Sequence, residues 1–162
     1  MATTVLITGP LSLEPLLVER LKTALASHTP AVHVLCAADL DGVIEERQLV
    51  PAVHVVLDGI KPLSANVGDT LTECTWHTVL TLRNVNTANK GGAAVRVDAN
   101  ALANAVYTNL VGWTPPGHSK PLRLVPSPRG GNHNGFMYLP LTWRTEFVWR
   151  SEITTPINPF FP

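Results

Sequence analysis

Six histidines, two cysteines, a run of acidic residues and two arginines are the side chains in this sequence that could carry chemistry. Asp39, Asp41, Glu45 and Glu46 could together attract a cation. Their spacing does not match the ligand pattern of an EF-hand calcium loop, so they read as the solvated face of a short helix or turn over Ala38–Gln48. His33 and His54 each interrupt an apolar, strand-like run and could face each other if those strands pair. A satisfied or edge-facing histidine is the preferred reading over a metal ligand. His133 lies between Asn132 and Asn134 in a glycine-rich stretch, where Asn-Gly favours positive-φ turn geometry. Arg123 and Arg129 could flank a phosphate, although two guanidiniums alone are a weak signal. Cys36 and Cys74 are far apart and sit in apolar runs. They read as two reduced, buried thiols, with a disulfide or metal pair as the alternative.

None of these groups falls into a catalytic motif. Thr8-Gly9-Pro10 lacks the further glycines and the Lys-Ser/Thr of a phosphate loop. There is no Gly-x-Ser-x-Gly elbow, no His-Glu-x-x-His and no Cys-x-x-Cys. The sequence therefore assigns no catalytic residue, no metal ligand and no cofactor-binding residue, and it does not point to an enzyme.

The composition narrows the class further. A chain of 162 residues with 45% apolar content is expected to form a single domain around a real core. Acids and bases balance at 12 each, against the basic excess of a dedicated nucleic-acid binder. Only 15% of residues are charged, fewer than a solitary soluble domain usually displays, which suggests that other protein covers part of the surface. The start, Met1–Leu6, lacks the basic region and long apolar segment of a signal peptide. No apolar run approaches the ~20 residues of a membrane-spanning helix. A cytosol-like compartment and no membrane partner are expected.

Two long alternating stretches must position whatever function exists. In Gly135–Glu152, Leu139, Leu141, Trp143, Thr145, Phe147 and Trp149 share one parity, while Pro140, Thr142, Arg144, Glu146, Val148 and Arg150 take the other. Alternate side chains of a strand point to opposite faces, so one face is apolar and aromatic and the other mostly polar. Thr72–Val85 repeats the pattern, with Cys74, Trp76, Leu80 and Leu82 opposed to Glu73, His77, Thr81 and Arg83. Trp76, Trp113, Trp143 and Trp149 are expected to anchor the core. A strand of this length reaches roughly 45 Å at about 3.3 Å per residue, whereas a domain of this size has a radius of gyration near 15 Å. Such strands must bend or overhang, and an overhanging edge needs a partner.

The remaining elements follow from spacing and punctuation. Ser12 is expected to cap an amphipathic helix over Leu13–Ser27, with Leu13, Leu16, Leu17, Leu21, Ala24 and Leu25 at helical spacing on one face. Ala31–Cys36 and Ala52–Leu57 read as strands, Asp58-Gly59 as a turn and Lys61–Asp69 as a loop. Asn84–Gly92 is polar and reads as a projecting loop, with Asn86, Asn89 and Lys90 as candidate contacts between subunits. A second helix is expected over Ala94–Val111, ended by Gly112. Leu122–Val125 reads as a short strand and Pro126–Asn134 as a loop. An extended lead-in at residues 1–10 and a Pro/Phe-rich arm at residues 153–162 flank the domain. Phe160 and Phe161 are costly to leave in water, at roughly 1.5–3 kcal/mol each, so the arm is expected to dock on the domain or on a neighbouring subunit.

Taken in order over Leu13–Glu152, these elements resemble the tail terminator (tail completion) proteins of long-tailed bacteriophages. The features that carry the resemblance are Gln48-Leu49-Val50-Pro51-Ala52-Val53-His54-Val55 ending at Asp58-Gly59, the strand Glu73–Val85, the segment Asn109-Leu110-Val111-Gly112-Trp113-Thr114-Pro115, and the closing strand pair Leu122–Val125 and Met137–Glu152. The resemblance implies an α+β fold, a curved and mostly antiparallel sheet with two main helices packed on one side. It implies a structural virion protein, assembled in the bacterial host cytoplasm, that forms a ring, usually a hexamer. Such a ring caps the tail tube, joins it to the head-tail connector and lets DNA pass through its lumen. The lead-in and the aromatic arm depart from the pattern. Another neck or tail-tube adaptor is the nearest alternative, and a small enzyme or ligand-binding domain the more distant one.

Overall fold

Phe136–Arg150 and Asp69–Arg83 lie antiparallel and in register along their whole lengths in the computed structural model, which describes residues 9–36, 49–84 and 93–150. Their alternating sequences account for this. Trp76 stands opposite Trp143, Cys74 opposite Thr145 and Leu80 opposite Leu139, so every register step puts an apolar-parity residue beside another on the same face.

Around this pair the strands are β1 (His33–Cys36), β2 (Ala52–Ala65), β3 (Asp69–Arg83), β4 (Arg123–Val125), β5 (Gly131–His133) and β6 (Phe136–Arg150). They form one open, six-stranded sheet in the order β1-β2-β3-β6-β4, with β5 also on β6. Among the described strands, only the β1–β2 pairing is parallel. Helices α1 (Glu14–Leu25) and α2 (Ala93–Leu110) pack on the apolar face. This is an α+β fold built on a curved, mostly antiparallel sheet.

The helices form where spacing and punctuation demand them. Leu13, Leu17, Leu21 and Leu25 recur every four residues and are all buried. On α2, Ala99, Leu102, Val106 and Leu110, spaced by three, four and four, are buried likewise. Gly112 ends α2 in the left-handed region at φ 74°, a conformation that glycine adopts without a Cβ penalty, and its N–H donates to the Leu122 carbonyl at 2.9 Å. Arg20 ties the helices together: its Nε donates to the Asn109 carbonyl, and its guanidinium lies 4.5 Å from the Trp113 ring centre. Trp113 is half-buried beside the core through this contact.

Five local expectations change. Ser12 lies inside a 3-10 turn (Pro10–Leu13), where its Oγ accepts the Gly9 N–H at 3.2 Å, so it does not cap α1. Asp58-Gly59 is not a turn: β2 runs through it with a bulge between Leu57 and Gly59, because ladder bonds to β3 continue on both sides. Lys61–Asp69 is accordingly not a loop. The chain reverses only at residues 66–68, where Gly68 takes φ 91°. Within Pro126–Asn134, β5 forms a hairpin with β6 through Asn134 and Gly135, both at positive φ. Trp149 is not a core anchor. It sits opposite Thr70 near the hairpin tip and is 39% exposed. Trp76 and Trp143 are fully buried.

The segments at Ala38–Gln48 and Thr154–Pro162, and the residues Asn86, Asn89, Lys90, Phe160 and Phe161, lie outside the described residues.

Candidate assembly surface

β1 pairs with β2 only over Ala52–Val55, so beyond Val55 the outer edge of β2 has no strand beside it among the described residues. The β2–β3 hairpin thus overhangs the helices. Here Val67 is 98% exposed, Ile60 46%, Leu63 42% and Trp149 39%. Four large apolar residues gathered at one end of the sheet make a ledge of the kind that marks a protein contact.

The free edge is built against ordinary strand addition. Two bulges, between Leu57 and Gly59 and between Pro62 and Ser64, break its ladder. Pro62 removes a donor, and Lys61 adds an exposed charge. Bulges, proline and lysine are the devices that keep edge strands from pairing indiscriminately.

The sheet face opposite the helices carries a polar network. Glu73, buried on β3, accepts from the Arg123 guanidinium at 3.1 Å and meets Arg144 at 3.6 Å, tying β3, β6 and β4 together. His77 bridges the Asp58 carboxylate at 3.2 Å and the Thr142 hydroxyl at 2.9 Å. A carboxylate, an imidazole and a hydroxyl in series resemble a nucleophile relay. Thr142, however, lies mid-strand and is only 3% exposed, and its N–H donates to Ser127 Oγ at 2.8 Å. A substrate carbonyl could not approach it. The series pins β2, β3 and β6 together instead.

The other candidate groups are placed as follows. β1 and β2 do pair, but His33 stands opposite Ala52 and His54 opposite Leu35, so the two imidazoles do not face each other. His54 is buried with Nδ1 3.3 Å from Thr81 Oγ1, and burial holds its pKa below the usual histidine value. Neither cysteine is in a disulfide: Cys74 is buried and Cys36 half-buried. Burial pushes the Cys74 thiol up to about 11. Arg123 is committed to Glu73 rather than to an anion shared with Arg129. Among the described residues no group of three His, Cys, Asp or Glu side chains converges to hold a metal. No described helix is long and apolar enough to cross a membrane.

The sequence put Glu73, His77 and Arg144 on the polar parity without pairing them, and it assigned Asp58 to a turn. Continuation of β2 past Asp58 was the missing signal.

Exposed apolar side chains on the β2–β3 hairpin and a polar face locked by ion pairs are the two surfaces that the described sheet presents. No match to a curated protein accompanies the chain. Residues 8–155 match the profile of the phage tail terminator protein family, and the chain belongs to that family of structural tail proteins.

Proposed function

We propose that copies of this chain, each a single domain over residues 1–162, join head to tail into a ring of six. The ring closes the finished tail tube, meets the head-tail connector on its other side and lets DNA pass without reading its sequence. Assembly takes place in the host cytoplasm, and the mature protein resides at the tail–neck junction. The observation that carries this reading is the β2–β3 hairpin, where Ile60, Leu63 and Val67 are exposed in the described chain. A ring made of heterologous contacts needs two different patches on each subunit, and a ledge at one end of the sheet supplies one of them. Asn86, Asn89, Lys90, Phe160 and Phe161 are proposed as further inter-subunit contacts. Balanced charge suits a lumen that must release DNA, since tight phosphate binding needs a basic excess.

Electron microscopy of tails produced with and without this protein tests the proposal. Tubes of uniform length ending in a ring are expected with it, and overlong or uncapped tubes without it. Uniformly capped tubes in its absence would overturn the reading.

A further inference from the structure

The described chain begins at Gly9, beside the hairpin. A Cβ on Gly9 would stand 3.9 Å from Trp149 Cζ2, and the residue itself is extended at φ 170° and ψ 179°. Trp149 shares the helix-bearing face of the sheet with Ile60. It has the parity of Trp143, and Ile60 stands opposite Cys74, which has the parity of Trp76. On that face Ile60, Pro62, Ala65 and Trp149 are all exposed. Residues 1–8, outside the described residues, include Val5, Leu6 and Ile7 and carry no charged side chain. From Trp149 to Ile60 is two strand spacings across and four residues along, roughly 16 Å at about 4.8 and 3.3 Å each. Eight extended residues span about 26 Å, so a segment starting beside Trp149 reaches Ile60.

We propose that residues 1–8 lie across the helix-bearing face of their own β2–β3 hairpin, with Ile7 against Trp149 and Val5 directed at Ile60. Val5 and Ile7 share one parity of an extended chain, so a single face of the segment presents both. Three observations select this occupant. The segment starts at the face it would cover, since Gly9 lies beside the Trp149 ring. It brings no charge that would have to be desolvated there. It is also tethered, which gives it an effective concentration in the millimolar range, far above that of a second copy in dilute solution. The C-terminal arm starts elsewhere: Arg150 pairs with Asp69, the first residue of β3, so β6 carries the chain past the end of the hairpin strands. The cover stops short of the reversal at residues 66–68, and Val67 there stays open to a second copy. The ring reading therefore stands or falls separately.

Thiol chemistry on the full chain, in a Cys36→Ser background, tests the contact. With Val5→Cys and Ile60→Cys in one chain, mild oxidation should close a disulfide within single chains at every protein concentration, read by mass spectrometry without reduction. Ile60→Cys alone should react with a thiol reagent at least about fivefold faster once residues 2–8 are deleted, because reaction needs an accessible thiolate. Val5→Lys combined with Ile7→Lys should accelerate it in the same way, which keeps the test available should the deletion variant not fold. Val67→Cys, beyond the cover, should react at one rate throughout. Unchanged reactivity of Ile60→Cys in both variants would overturn the proposal. So would equal acceleration at Val67→Cys, which would mean general loosening rather than uncovering. Disulfides that form only between chains, when Val5→Cys and Ile60→Cys are carried on separate copies, would assign the segment to a neighbour's hairpin and overturn it as well.

Discussion

Trp76 on β3 and Trp143 on β6 stand directly opposite each other, both fully buried beneath the helices. Trp143 also donates its indole N–H to Thr78 Oγ1 at 3.0 Å, two residues along the neighbouring strand. This pair is the centre of the core, and it joins the two longest strands where the helices bear on them.

Truncating Trp143 should therefore be among the costliest single changes. Trp143→Ala is expected to cost about 3–5 kcal/mol, since it leaves a large cavity and strands the Thr78 hydroxyl. Trp143→Phe keeps most of the volume and should cost clearly less. Urea denaturation of the monomer measures both, and a loss below about 1 kcal/mol for the alanine variant would contradict the packing described.

Glu73→Gln removes the charge that Arg123 and Arg144 share. Both arginines are partly exposed and can turn to water, so the cost should be modest, about 1–2 kcal/mol. Pairing it with Arg123→Gln in a double-mutant cycle should give a loss smaller than the sum of the single losses. Strict additivity would show that the ion pair does not hold β4 to β6.

Stability should fall as pH drops below about 6.5. Burial depresses the folded-state pKa of His54, and also of His118, where the Pro116 carbonyl partly opposes it. The unfolded chain then binds protons that the folded chain refuses, so the stabilisation is fully present above the unfolded value. It is lost as pH falls from there through the lower folded values. His54→Gln should flatten the melting-temperature profile between pH 7 and about 5 relative to the parent. An unchanged slope would mean that His54 is solvated.

The two thiols should react very differently. Cys74, buried and with its pKa raised, should resist a disulfide reagent at neutral pH until the protein unfolds. Cys36, half-buried on β1, should be modified first. Mass analysis of partially labelled protein distinguishes the sites, and equal rates would contradict the burial of Cys74.

Removing residues 154–162 should weaken assembly far more than folding. Native mass spectrometry and thermal melting of the truncated chain separate the two effects. A truncated chain that no longer folds would show that the arm belongs to the domain itself.

Much of the fold was legible in local patterns. The alternation in β3 and β6 named their apolar face, because a strand's side-chain period is a property of its own backbone. The four-residue spacing of Leu13, Leu17, Leu21 and Leu25, and the glycine after Leu110, marked the helices for the same reason. Tertiary structure decided the rest. Whether Asp58-Gly59 turns or bulges depends on the β3 residues that lie across from it, and ladder bonding outweighed the local turn preference. Trp149 shares a parity with Trp143 yet is 39% exposed, because it pairs with Thr70 at the tip end of β3 rather than beside Trp76 at the centre of the core. Glu73 found its arginines on strands 50 and 71 residues away, a distance over which no local periodicity carries information. The sequence by itself determined which faces are apolar; only pairing between distant strands decided which of those faces the chain covers and which it leaves open.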